Sequence, residues 1–442
     1  MVNRARGGST ASLRAGVPRE RGSECALTMS LAGPQQRERT VVSVTPLPLD
    51  KDSRTWKQAK SLAGAGYRSI VIAAGRRHEI GAGSTLPSSG ASSIAAASVT
   101  ESRMAGWRAA EAPWLAHAVL FAGWLGLYGL RYVARPLATL PAADLYVLHE
   151  CSTYPAVRAR AALSGAPYIY DAHDLYSAIE PEGRRLLFDA RFIVPMTRSL
   201  ERRSVGDAAA VMTVSDGLAS TLEATHGTKP IVVRNVHDGR LDRSGVETLR
   251  QRFGLDASAT LLVTVGNAKR GQALSQAIEA LALLPQNVHW AFVGDGYTLL
   301  LAEAQTRGVA ERVHLAGRLQ PDEIVPTIRD ADAAVVLYHA YSENYRLALP
   351  NGLFQAIAAG LPQIVPPLPE IQALADSYGF ALVADPTSPE AIAAAVRTLI
   401  EDAPVRERLA TASGRAREEL SWAQEEKRFL GLVTSIIDKG HA

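Results

Sequence analysis

The chain has 442 residues, enough for two or three domains, and its 47% hydrophobic and 21% charged content allows a large core and excludes wholesale disorder. Seven arginines against three glutamates give residues 1–39 a charge of +4, so the remainder of this +3 chain carries only −1. The basic balance is a property of the tail, and nothing in it calls for a nucleic-acid partner.

Residues 1–39 are rich in Arg, Ser and Gly and read as a disordered extension without an apolar run of signal-peptide type. Met29 is a candidate start, and an Arg-rich transit peptide is the other reading of the stretch. Cys25 and Cys151 are too few for a disulfide framework or a cysteine-based zinc site, and a reducing cytosol fits them. From Thr40, short β-branched runs alternate with helical stretches. TVVSVTP (40–46) predicts a strand, and the proline-rich loop after it leads into a helix over 53–66 capped by Asp52 or Ser53. YRSIVIAAG (67–75) predicts the next strand, and the Gly/Ser/Ala-rich stretch 81–106 a mobile loop. WLAHAVLFAGWLGLYGLRYVARP (114–136) is apolar over nearly the ~20 residues that a membrane span needs. Arg103, Arg108, Arg131 and Arg135 flank it, while His117 and three glycines weaken a spanning reading. A buried domain helix, a helix lying on a membrane surface and a span all remain open.

DLYVLHE (144–150), APYIYDAHD (166–174), AAAVMTVS (208–215) and KPIVVRN (229–235) continue the strands. After a polar break at 236–258 the rhythm restarts with ATLLVTVGN (259–267), VHWAFVGDG (288–296), ERVHLAG (311–317), ADAAVVLYH (331–339), LPQIVPP (361–367) and FALVADP (380–386). Near-continuous apolar strands separated by helices mean parallel sheets covered on both faces. The fold class is therefore α/β, with two Rossmann-like doubly wound parallel-sheet domains, 40–240 and 241–403, facing across a cleft. Residues 404–442 form a helical tail with Trp422 as its packing anchor. In open parallel sheets the ligand sits beyond the carboxyl ends of the strands. That rule puts Thr45–Arg54, His149–Cys151, Asp171–Asp174, Ser215–Gly217, Gly266–Gly271, Gly294–Gly296, His339–Arg346 and Pro350–Gln355 on the candidate list.

VGNAKRGQ (265–272) ends a strand and opens a helix. Its glycines let backbone approach a phosphate, helix-start N–H groups favour an anion, and Lys269 or Arg270 adds charge. An ordinary basic turn is the plainer reading. VGDG (293–296) lacks the third glycine of a dinucleotide fingerprint and reads as a tight turn. YDAHDLY (170–176) places Asp171, His173 and Asp174 just past a strand, as a polar-substrate contact, a metal trio or a hydrogen-bonded turn. In the 46–58 loop, capping by Asp52 or Ser53 is compatible with acceptor binding by Arg54 or Lys57. On the helix that starts at Asn351, Asn351 and Gln355 share one face, while Leu353, Phe354 and Ile357 face the core. There is no Gly-x-Ser-x-Gly elbow, His-Glu-x-x-His or Walker A loop.

In this order the pieces resemble a GT-B glycosyltransferase of the large retaining family 4, over about residues 40–435. The longest match is NYRLALPNGLFQAIAAGLP, similar to the family's NYRxxxPNKLFEYxAAGxP signature. YDAHDLY resembles its Asp-x-His-Asp/Glu turn. The resemblance implies transfer of a hexosyl unit from a nucleotide diphosphate sugar, a UDP- or GDP-sugar, to a hydroxyl with retention. It implies no cofactor and no metal, a nucleotide bound by the second domain and an acceptor bound by the first. Asp52, Ser53, Arg54 and Lys57 are then acceptor-binding candidates. Gly266, Asn267, Lys269, Arg270, Asn344, Tyr345, Arg346, Asn351 and Gln355 are donor-binding candidates, and His173, Asp174 and Arg270 catalytic ones. The family's paired glutamates fall on Leu347 and Gln355, and its lysine on Gly352. Gln355 keeps an acceptor oxygen for a ribose hydroxyl but loses the charge. Polysaccharide biosynthesis with a cell-surface glycan or lipid-linked acceptor, in the cytoplasm or peripheral to the inner face of the cell membrane, is the expected setting. The competing readings are a catalytically silent GT-B protein that binds a nucleotide, a glycan or a partner enzyme, and a nucleotide-sugar 2-epimerase.

Overall fold

A computed structural model describes residues 38–85, 114–178 and 188–439. The extension before Glu38, most of the 81–106 loop and Cys25 lie outside the described residues. Val41, Val42 and Val44 of β1 (Thr40–Thr45) have no exposed surface, because β1 sits mid-sheet between two parallel partners. Those partners are β2 (Arg68–Ala73) and β4 (Leu145–His149). β5 (Tyr168–Ala172), β6 (Ala210–Thr213) and β7 (Ile231–Val232) extend the parallel sheet.

At the other edge β3 (Arg76–Ile80) returns antiparallel along β2. Ala74 and Gly75 make the two-residue turn, with φ of 48° and 76°, which suits the twist of a tight hairpin. The order is β3-β2-β1-β4-β5-β6-β7.

The second sheet contains β8 (Thr260–Val265), β9 (Val288–Val293), β10 (Val313–Gly317), β11 (Ala333–Val335), β12 (Gln363–Val365) and β13 (Ala381–Val383). Its order is β10-β9-β8-β11-β12-β13, all parallel. Each sheet reverses its winding once, between β1 and β4 and between β8 and β11. The carboxyl ends of strands at such a reversal open a crevice for a ligand. The two-block α/β architecture read from the sequence is the architecture found.

Helices cover both sheets. The capped helix Ser53–Gly64 packs on the first, and the signature helix Asn351–Ala358 follows the first reversal's counterpart in the second. The last helix, Trp422–Lys439, returns to the first sheet. Trp422 has no exposed surface, and its indole N–H donates to Ser61 Oγ at 3.0 Å. One apolar cluster joins Val41, Leu62 and Leu145 to Leu353, Phe354, Trp422 and Phe429. The tail is thus bound to the first sheet by the same core that carries the signature helix.

The apolar segment departs from two of its three readings. It is an α-helix over Trp114–Tyr128, a π turn over Gly129–Ala134 and a further helical turn over Arg135–Thr139. Among the described residues no helix is long and apolar enough to cross a membrane. Nor is it a buried helix: Val119 and Leu127 are 70% and 66% exposed, and Leu125 and Leu130 are exposed with them. Its inward side is aromatic, with Phe121 stacked on Phe192 at 4.6 Å and Trp124 on Tyr128 at 5.4 Å.

Candidate active site

The carboxyl end of β5 delivers Asp171, and the residues beyond it His173 and Asp174. Asp171 is completely buried, which makes its charge costly unless matched. Arg54, on the first turn of the capped helix, matches it bidentately, with Nε and Nη2 at 2.9 and 2.7 Å. Gln58, one turn on, donates to Asp171 Oδ2 at 2.8 Å. Burial pushes the Asp171 carboxyl up, but Arg54 and the two histidines outweigh it and hold it well below the usual range. Removing one partner of such a buried pair costs about 3–5 kcal/mol.

His149, the last residue of β4, and His173 complete this group. Their facing nitrogens, Nδ1 and Nε2, are 3.1 Å apart, and they lie 3.3 and 3.4 Å from Asp171 Oδ2. Burial pushes His149 down. Burial works the same way on His173, yet Asp171 overrides it and raises its pKa. His173 alone of the pair lines the cleft. The three residues could be read as a cation site, since their donor atoms lie within 4.8 Å of one another. Both carboxylate oxygens of Asp171 are already taken by Arg54 and Gln58, and the guanidinium opposes a second cation there. The donor set fits a hydrogen-bonded network that orients His173, not a metal.

Asp52 caps the helix: Oδ1 accepts from Thr55 N at 3.0 Å, and Oδ2 accepts from the Thr45 and Thr55 hydroxyls at 2.7 Å each. Burial opposes its charge, but His173, His149 and Thr55 together hold it below its ordinary pKa. Lys57 is buried, donates from Nζ to the Val236 carbonyl and lies 4.9 Å from the Trp422 ring centre.

From the second sheet, Asn344 reaches across. It donates to Asp174 Oδ1 at 3.1 Å and accepts from Leu175 N at 3.0 Å. Tyr345 lies against Tyr341, ring centres 4.3 Å apart. Gly294 is needed where it stands, because a β-carbon there would lie 2.1 Å from the Gly266 carbonyl oxygen. Asn267 Oδ1 accepts from Asp295 N at 3.0 Å, so its side chain ties these two turns together. Gly352 has a packing reason too: a β-carbon would meet the Val265 carbonyl oxygen at 2.5 Å. The lysine of the family signature cannot be accommodated with this helix placement.

Two cavities result. The larger, about 390 Å³, is lined by Asp52, Ser53, Arg54, His173 and Asp174 on one side and Lys269, Asn344, Tyr345 and Asn351 on the other. The smaller, about 280 Å³, is lined by Ser53, Trp56, Lys57, Asp322, Asn351 and Gln355. Ser53 and Asn351 border both. Of the other residues singled out in the sequence, Gly266 and Asn267 build the turn, and Arg270 lies over the Tyr341 ring at 5.1 Å. Arg346 pairs with Glu343 at 2.5 Å on the surface. None of these four lines either cavity. Gln58 drew no attention in the sequence, because its only signal is a one-turn spacing from Arg54.

A glycosyltransferase 4-like family profile matches residues 52–239, and the profile described as glycosyl transferases group 1 matches residues 259–402. The two cover both sheets in the order the fold requires. This chain is a GT-B glycosyltransferase of the family-4 type. Lipopolysaccharide glucosyltransferase WaaG of Escherichia coli K12 is 30% identical over 190 residues, which are 41% of this chain and 45% of WaaG. The match thus spans less than half of that relative. Sucrose-phosphate synthase from Thermosynechococcus elongatus superposes with a TM-score of 0.63 at 12% identity, over 91% of this chain and 100% of that one. HepE of Anabaena, in complex with UDP, superposes with a TM-score of 0.59 at 14% identity, over 90% of this chain and 100% of that one. In this glycosyltransferase the position of the first family glutamate, Leu347, is 3% exposed and packs in the apolar cluster of the first sheet.

Proposed function

We propose that this glycosyltransferase moves a hexosyl unit from a UDP-sugar to a hydroxyl of a lipid-linked or cell-surface glycan, with retention. The carrying observation is the 390 Å³ cleft, where Lys269 faces His173 and Asp174 with Asn344 spanning between the domains. A departing diphosphate needs cations or aimed donors, each typically worth about 3–4 kcal/mol in water-excluded geometry. Lys269 and the N–H groups that open the signature helix supply them. His173, held in place by Asp171, contacts the donor sugar. Gln355 and Asn351 border the smaller cavity, which suits the ribose. HepE was solved with UDP, with UDP and glucose, and with UDP-glucose, which favours uridine over other bases.

The setting is the inner membrane face. The exposed side of the Trp114–Tyr128 helix is apolar, with Arg131 and Arg135 following it in the chain and Arg191 over the Phe192 ring that stacks on Phe121, a composition that suits an anionic bilayer.

Thermal shift and hydrolysis against UDP-, GDP- and ADP-sugars test the reading, since a specific ligand raises stability by RT ln(1 + [L]/Kd). UDP-glucose is expected to stabilise the protein and to be hydrolysed slowly. Lys269→Ala is expected to cut turnover about 100-fold or more, and Gln355→Ala to raise donor KM several-fold. A second reading, a silent GT-B protein, is favoured by Leu347 and Gln355 standing where the family has glutamates. Binding without hydrolysis or transfer of any sugar nucleotide would select it.

A further inference from the structure

Glu150 follows β4 at the winding reversal of the first sheet, where a ligand crevice is built. Its backbone is held at φ 64° and ψ 148°, a region left almost wholly to glycine. The side chain does not cap the turn Cys151–Thr153 that follows it. Local folding therefore gains nothing visible from a glutamate here, and strained residues of this kind concentrate at ligand sites.

The carboxyl is partly buried, with Tyr176 close to it. Asp52, His173 and Asp174 of the cleft and Tyr132 of the π turn are near enough to act on its charge, and the Glu150 N–H reaches the Asp171 carbonyl at 3.4 Å. Burial pushes its pKa up to about 7, against the pull of His173. Tyr128 donates to the Ser152 carbonyl at 2.7 Å, so the aromatic helix is fastened to the loop that carries Glu150. The turn that carries Glu150 thus joins the strand end that holds Asp171 to the stacked rings of Phe121, Trp124 and Tyr128.

We infer that Glu150 recognises the acceptor, its carboxylate oxygen accepting a hydrogen bond from a ring hydroxyl of an amphiphilic glycoside whose apolar aglycone runs along the aromatic helix. The inference rests on the glycosyltransferase reading and deepens it. A carboxylate suits this role because hydrogen bonds to an ionised acceptor are about twice as strong as neutral ones. An apolar aglycone suits the helix because Leu127 and Leu130 leave it an exposed apolar margin.

The test uses the full chain, n-octyl gluco-, galacto- and mannopyranosides as acceptors, and whichever of UDP-, GDP- and ADP-sugars the wild type hydrolyses fastest. The wild type is expected to glycosylate at least one octyl glycoside. Glu150→Gln should raise the KM for that glycoside about tenfold and lower the ratio of transfer to hydrolysis, with the donor KM unmoved. Glu150→Gly should do the same with an equal or higher Tm, because glycine relieves the backbone. An unchanged glycoside KM in both variants, a Tm that falls in Glu150→Gly, or a wild type that hydrolyses donor but accepts none of the three glycosides would overturn the inference while leaving the transferase standing. A wild type that neither binds nor hydrolyses any sugar nucleotide would instead sink the transferase reading.

Discussion

Lys57 shows how much a single buried cation can reveal. Burial and the nearby Arg54 push it down from an ordinary 10.5 to about 7, while Asp238, Asp52 and Glu425 pull the other way. Between those two values the unfolded chain binds a proton that the folded protein does not. Stability must therefore rise with pH across that window, by up to about 1.4 kcal/mol per unit, and level off above it. Urea unfolding at pH 7 and pH 9 should show the wild type gaining about 2 kcal/mol more than Lys57→Met over this interval. An equal gain in both proteins would mean that Lys57 stays charged when folded. Spacing in the sequence placed Lys57 one turn from Arg54 and could go no further. Whether such a lysine meets a ligand or a carbonyl depends on Val236 and Trp422, which lie far along the chain. The same holds for Asp171: its strand-end position was legible, but its bidentate partner, 117 residues earlier, was not.

At the scale of elements, the buried strands were the most legible, because β1, β4, β8 and β9 are apolar on both faces and bounded by polar turns. The hairpin strand Arg76–Ile80 was not: its RRHEI sequence carries no apolar alternation, and it is paired only along one edge. The segment 114–136 was legible as apolar, but its surface position was only one of three readings, since composition does not say which neighbours cover a helix. Its exposed leucines make a prediction. Leu125, Leu127 and Leu130 contribute little to the core, so replacing Leu127 and Leu130 together by Asp should change unfolding free energy by no more than about 0.5 kcal/mol per site. Sedimentation with vesicles of phosphatidylglycerol and phosphatidylethanolamine should nonetheless lose most of the bound protein. Equal vesicle binding by the variant and the wild type would remove the helix as a membrane contact.

For the whole molecule, the decisive feature is how the second sheet's loop docks on the first. Leu347 reaches the first sheet's apolar cluster, and its carbonyl accepts from Ser215 Oγ at 3.0 Å. The fit is tight: a β-carbon on Gly217 would lie 2.7 Å from Leu347 Cδ2 and 2.5 Å from Glu370 Oε1. Asn344, three residues earlier, bonds Asp174 and Leu175 across the cleft. By the family resemblance a glutamate falls at position 347, where Leu347 makes a contact between the sheets, so introducing one should not restore a function. In Leu347→Glu a carboxylate would be buried beside the apolar cluster and near Glu370, and the neighbouring Arg346 is already paired with Glu343. Such a charge costs several kcal/mol unless it escapes to water. The cheapest escape is separation of the two sheets at this loop, which also breaks the Asn344 bridge. Small-angle scattering should therefore show a larger radius of gyration for Leu347→Glu, with a raised donor KM and a lower turnover. Leu347→Gln should fall between the variant and the wild type, because an amide costs less to bury than a carboxylate. If Leu347→Glu instead kept the wild-type scattering curve and turned over faster, the side chain at 347 would face the donor, and the docking role assigned to it would be wrong.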